Sequence, residues 1–382
     1  MSLQERIAQI VPDVVRTRHD LHAHPELAYE EKRTSEVVIR ELKALGIEVI
    51  SGLAGGTGVL GKLPATGTAK RSIGLRADMD ALPITEETGK PYASQNEGVM
   101  HACGHDAHTS MLLGTARILS QTEYRPNDIT FVFQPAEERG AGGAKMVEDG
   151  ALEGLDSIFG LHGWPNMPLG TRITRVGAMM GSADVMKVRI YGKGGHAAFP
   201  HLTVDPIVIG AQIVTALQTV TSRNVDPLMA SVLSVTKFEA GTASNIIPEY
   251  ADILGTLRTL NDDVRAMAMR RIEEIIHGTC SAMGARAEIE FYDSYPVTVN
   301  HQEAVQWFRE AVKGASQEDL VPVMGAEDFS YYGKHIPACF FMLGLLPEGQ
   351  ETYPGLHTPQ FDFNDEAIPY GIEAFCQIAL HE

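Results

Sequence analysis

After Gly181 the order of elements in this chain changes, and that change restricts the fold more than any other feature. Apolar spacing predicts strands at 185–191, 231–239, 250–259 and 287–291, with helices at 206–221 and 262–283. The first helix opens on Pro206 and the second is stopped by Gly284. That is β-α-β-β-α-β, the split ferredoxin-like unit, in about 110 residues. On either side the order is different. Two helical stretches between residues 3 and 45 are separated by His24-Pro25-Glu26 and ended by Gly46. Short β-rich runs follow at 59–63, 72–77, 129–134 and 157–162, with a helix at 107–120 among them. Strands alternating with helices imply a mostly parallel sheet, and the apolar run 338–346 supplies a buried strand to complete it. The expected architecture is α/β: a catalytic domain from 1–183 and 296–382, interrupted by an inserted α+β domain at 184–295. At about 150 residues per domain, 382 residues agree with two.

Composition removes several functional classes. Hydrophobic residues at 44% and charged residues at 21% suit a soluble globular chain and exclude a disordered or fibrous one. The formal net charge of −18, with no Lys/Arg cluster, repels a polyanion, so no nucleic-acid partner is expected. The first twenty residues mix charges of both signs within a helical pattern, unlike a signal peptide. The densest apolar run, 338–346, contains a glycine and falls well short of the roughly 20 residues that cross a bilayer, so no membrane partner is expected either. The four cysteines are far apart, which argues against a disulfide framework and for a reducing, cytoplasmic location.

The chemistry concentrates in His101-Ala-Cys103-Gly-His105-Asp106-Ala-His108, which packs a thiol, three imidazoles and a carboxylate into eight positions. Cys103 and His105 can turn toward one ion, with Asp106 and His108 starting a helix or supporting a ligand. Next, Phe131-Val-Phe-Gln-Pro-Ala-Glu137-Glu138 is a β run stopped by proline and followed by adjacent carboxylates, whose repulsion calls for a cation or a proton. One carboxylate of such a pair can bind metal while the other takes a proton from water. His162 ends an apolar run and His357 lies in a Gly/Pro loop. Cys103, His105, Glu138, His162 and His357 thus make five potential ligands at the ends of separate elements, where open α/β sheets place their sites. Five exceed one four-coordinate ion and invite a pair of ions bridged by a thiolate. Asp80, in the loop after the 72–77 strand, is a candidate to orient a ligand.

Several motifs together resemble a known family. Arg76-Ala-Asp-Met-Asp80-Ala-Leu-Pro, His101-Ala-Cys103-Gly-His105-Asp, Gln134-Pro-Ala-Glu137-Glu138, Gly194-Gly-His196-Ala-Ala, Ser244-Asn245-Ile-Ile-Pro and Gly325-Ala-Glu-Asp328-Phe are similar to those of the M20 metallopeptidases, in the branch of aminoacylases, hippurate hydrolases and auxin-conjugate hydrolases. The resemblance implies a catalytic domain interrupted by a lid or dimerisation domain, a homo-oligomer (dimer or tetramer), and hydrolysis of N-acyl amino acids with two divalent ions (Mn, Zn, Co or Ni). It further implies Cys103, His105, Glu138, His162 and His357 as ligands with Cys103 bridging, Glu137 as general base, and His196 as the group that holds the oxyanion. Other branches of that family carry a ligand His where this chain has Asp78 and a bridging Asp where it has Cys103. Asn245 and Arg258, in the inserted domain, are candidates to meet the substrate's carbonyl or carboxylate. A cysteine hydrolase using Cys103 is the competing enzyme class, and a non-catalytic metal- or ligand-binding protein the competing alternative to an enzyme. The first leaves Glu137, Glu138, His162 and His357 without a role, and the second has no use for Glu137. The glycines at 192, 194 and 195 make no dinucleotide site, because Pro200 and Pro206 deny them the helix that must follow.

Overall fold

A computed structural model describes all 382 residues. They divide into two compact units, one of Met1–Met179, Val299–Val321 and Asp328–Glu382, the other of Met180–Thr298 and Pro322–Glu327.

The larger unit is built on a seven-stranded sheet. Across it the strands run Glu48–Leu53, Gly58–Leu63, Asp128–Gln134, Ser72–Asp78, Ser157–Pro168, Ala338–Leu346 and Arg172–Ile173. The four central strands pair parallel and the edge strands antiparallel. Parallel neighbours need a long crossover, and the helix His105–Ser120 provides the one between Ser72–Asp78 and Asp128–Gln134. That helix packs with Leu3–Ala23 and Ile368–Leu380. The strand Ala338–Leu346 is buried at every position but the last, as a strand covered on both faces must be. Phe131, Phe133, Phe159 and Phe341 from the sheet meet Leu112, Ile372 and Phe375 from the helices in one core. Fully burying each such side chain contributes about 1.5–3 kcal/mol.

Two departures from the sequence reading bear on function. The strand beginning at Ser157 does not stop at His162 but continues to Pro168, because its partner keeps pairing with it through Gly344 and Leu346. His162 therefore sits in mid-strand, held on a rigid ladder. The helix expected from residue 107 begins at His105, since the amides of Ala107 and His108 both donate to the Gly104 carbonyl. Gly104 adopts φ +93°, and a Cβ there would lie 2.9 Å from Phe363, so only glycine suits this helix start. The first strand, Glu48–Leu53, is mostly exposed at the sheet edge and offers no alternating apolar pattern to read.

The smaller unit has a four-stranded antiparallel sheet in the order Ser231–Ala240, Tyr250–Thr259, Ala183–Tyr191, Arg286–Tyr295. Its helices, Pro206–Thr219 and Asp262–Ala282, are capped by Asp205 and Asn261. They bury Ile209, Ile213 and Leu217, and Ala268, Ile272, Ile276 and Cys280, against Met186, Val188, Ile190, Ile253 and Leu257. The four-residue spacing on each helix is what places one apolar stripe on the sheet. No helix of the chain is long and apolar enough to cross a membrane.

Candidate metal centre

The site forms where the parallel strands end. Register pairs Asp78 with Gln134, so the loops that follow them, carrying Asp80 and Pro135–Glu138, leave the sheet side by side. Cys103 immediately precedes the helix whose first turn holds His105. The Cys103 Sγ lies 3.3 Å from Nε2 of His162 and 3.4 Å from Nε2 of His357. Nε2 of His357 is 3.2 Å, and Nε2 of His105 3.9 Å, from Oε1 of Glu138. Ligands bound tetrahedrally at 2.0–2.3 Å stand roughly 3.3–3.8 Å apart, the same spacing. Five overlapping groups could hold an ion, among them Cys103 with His105 and His162, Cys103 with Glu138 and His357, and His105 with Glu137 and Glu138; the first two share the thiol. His357, with φ +60°, is fixed by its amide, which donates to the Ala102 carbonyl at 2.8 Å.

The electrostatics suit cations. Burial, then Glu138, Glu137 and Asp78, push the Cys103 thiol well above its ordinary range, so no reactive thiolate arises without a positive charge beside it. Burial pushes His162 well below the usual imidazole range and keeps it a neutral donor. Burial works against a charge on His105, but Asp78 and Asp80 outweigh it and raise the pKa to about 10. His105 Nε2 is nevertheless buried and makes no hydrogen bond. An imidazole nitrogen aimed into a pocket of sulfur, carboxylate and imidazole, with nothing to bond to, fits a divalent ion.

A second layer of residues sets the first. Asp80 grips three groups: its Oδ1 meets Nδ1 of His105 at 3.2 Å and the amide of Glu137 at 3.0 Å, and its Oδ2 takes the amide of Glu138 at 2.9 Å. One carboxylate thus orients the imidazole and both acidic residues. Asp78 accepts from Nδ1 of His108 at 2.7 Å and from Arg76 at 2.6 Å. Nε2 of His108 then accepts the Gly163 amide at 3.0 Å, beside His162. Arg76 also donates to Gln134 and Asp328. Asp106, one residue after His105, pairs with the buried Arg18 and with His22, both at 2.8 Å. Of these partners, Asp78 was singled out in the sequence only through the family resemblance, whereas Arg18 and His22 carry no local signal.

Glu137 is buried, and its Oε1 faces the Asp328 amide at 3.4 Å. In the smaller unit, His196 and Gly195 form a short strand paired with Ile246–Ile247, and the Ala197 amide donates to the Asn245 carbonyl, so His196 and Asn245 are neighbours. His196 and Asn245 are exposed, while Arg258 is half-buried in the strand Tyr250–Thr259 and donates to Thr256 and to the Leu257 carbonyl.

The sequence pattern of Peptidase family M20/M25/M40 matches residues 74–381. N-acetyl-L-cysteine deacetylase of Bacillus subtilis (strain 168) is 39% identical over 365 residues, spanning 95% of this chain and 86% of the relative. IAA-amino acid hydrolase ILR1-like 4 of Arabidopsis thaliana is 39% identical over 376 residues, spanning 96% and 84%. The solved structure of the Bacillus subtilis YxeP protein, described as a dinuclear metal binding peptidase from the M20 family, matches with a TM-score of 0.84 at 32% identity over 98% of each chain.

Proposed function

This chain belongs to peptidase family M20/M25/M40 and is a hydrolase, and on that premise we propose that it cleaves the amide bond of N-acyl amino acids with two divalent ions, releasing a carboxylic acid and a free amino acid. The observation that carries the reading is a thiol shared between two ligand groups with a second carboxylate, Glu137, next to the one that completes a group. Cys103, His105 and His162 would hold one ion, and Cys103, Glu138 and His357 the other. Ions held there supply Lewis acidity toward the acyl carbonyl and acidify water.

The chain's own residues do the rest. Glu137 takes the proton of the attacking water and hands it to the leaving amine nitrogen, which needs one carboxylate that exchanges protons beside one that does not. Asp80 keeps the two apart in role by fixing both of their amides. His196 is assigned the developing oxyanion, and Asn245 and Arg258 the substrate's carbonyl or carboxylate. The smaller unit is assigned the part of lid or dimerisation domain. A nucleophilic Cys103 would leave the convergence of His105, Glu138 and His357 without purpose.

The names of the two relatives share an amino acid on the amine side of the bond and differ in the acyl group. That favours recognition of the free α-carboxylate over the acyl chain. Hydrolysis is therefore expected for N-acetyl and N-benzoyl amino acids and is expected to fall sharply when the α-carboxylate is capped as an amide. Chromatography of released amino acid, run with Mn, Zn, Co and Ni in turn, checks this. Equal turnover of capped and free substrates would count against the proposed class.

A further inference from the structure

The segment ahead of the helix Lys32–Ala44 contributes no ligand, yet it clamps the loop that carries Glu137 and Glu138. Glu31 is fully buried, and its two oxygens are divided between that loop and the turn that joins the first two strands: Oε1 accepts the Ala136 amide at 2.8 Å and Oε2 the Thr57 hydroxyl at 2.9 Å. Two residues earlier, Tyr29 donates its hydroxyl to the Gly140 carbonyl at 2.5 Å. The loop is therefore held at Ala136 and again at Gly140, on either side of the two carboxylates.

What is held is a conformation that a free chain avoids. Ala136 has φ +57°, in the left-handed region that costs a residue with a Cβ free energy unless its surroundings impose it. Tyr29 is itself at φ +64°. With Ala136 turned this way, the next two amides both face Asp80, so three consecutive N–H groups, of Ala136, Glu137 and Glu138, are satisfied by two carboxylates from distant parts of the chain. Burying a carboxylate to hold one loop amide and one hydroxyl is costly, and burial and the nearby Asp80 raise the Glu31 pKa to about 7. An apolar side chain would fill the space but leave the buried Ala136 amide and Thr57 hydroxyl without their acceptor, and the loop without its hold.

We infer that Glu31 and Tyr29 are positioning residues of the hydrolase: by clasping the loop at Ala136 and Gly140 they set the turn that separates the directions of Glu137 and Glu138. The inference rests on Glu137 as base and Glu138 as ligand. Glu31→Leu removes the acceptor and Glu31→Gln keeps it, since a Gln carbonyl can take the Ala136 amide while Thr57 turns its hydroxyl to accept. In the full-length protein, Glu31→Leu is expected to lower kcat about 10- to 100-fold and to weaken one of the two Co²⁺ affinities of chelated protein about tenfold. KM should stay within about threefold, as for a group that acts on geometry and not on substrate, and Glu31→Gln should recover both quantities to within about threefold of wild type. A Glu31→Leu protein with wild-type kcat and Co²⁺ affinity, or a Gln variant as impaired as the Leu variant, overturns the inference. If Glu31→Leu does not fold, Tyr29→Phe carries the test, because it removes one hydroxyl and buries nothing new: kcat lowered about three- to tenfold supports the clasp and unchanged kcat overturns it. The Co²⁺ titration needs no substrate, so a wild-type protein that hydrolyses no N-acyl amino acid defeats the proposed function and leaves the clasp still decided by metal affinity.

Discussion

Glu137→Gln is expected to lower kcat by roughly 10²-fold or more with metal content near the native value, a loss of about 2.7 kcal/mol in transition-state stabilisation. The amide keeps the shape of the carboxylate, and the backbone amide of residue 137 keeps its bond to Asp80. Only the capacity to take a proton from water is gone. Glu138→Gln should behave differently, losing metal affinity first, because its Oε1 stands 3.2 Å from His357 within one of the ligand groups. Elemental analysis beside steady-state kinetics separates the two outcomes. Metal loss in the residue 137 variant, with retained metal and lost rate in the residue 138 variant, would mean that base and ligand have been interchanged.

The larger effect is expected at Cys103. Its sulfur is common to both groups, so Cys103→Ala opens both at once, and hydrolysis should fall roughly 10³-fold or more, the several kcal/mol that bound ions contribute. Cys103→Asp should retain measurable activity, since a carboxylate can also join two ions. A nucleophilic cysteine predicts otherwise: the Asp variant would be dead and the native protein would accumulate an acyl thioester. Mass spectrometry of the acid-quenched reaction should find unmodified Cys103. A stable acyl adduct there would favour the cysteine-hydrolase mechanism.

These residues were legible in the sequence for a physical reason. Metal chemistry needs particular atoms, and His101 to His108 gathers so many of them that chance is a poor account, while the ordered motifs along the chain carried the family, the enzyme class and the α/β architecture that the comparisons bear out. Strands with strong apolar patterns, Tyr250–Thr259 and Ala338–Leu346, were legible to the residue. Features set by partners far along the chain were not. His162 was read as ending its strand because nothing local says that Ala338–Leu346 will extend the pairing to Pro168. Arg18 lies 88 residues from Asp106, and Glu31 lies 105 from Ala136, distances at which no periodicity operates. The partners of Asp106, the hold of Glu31 and the left-handed Ala136 are tertiary facts, visible only once the sheet has brought their loops together.

The central claim is that this hydrolase works through ions held by a shared thiolate. The most direct measurement is turnover of an N-acyl amino acid by protein stripped with a chelator, with residual metal determined on the same sample, before and after divalent ions are returned. Turnover should vanish with the metal and return as it is restored, levelling off near two ions per chain. Unchanged turnover in protein shown to be free of metal would contradict the account.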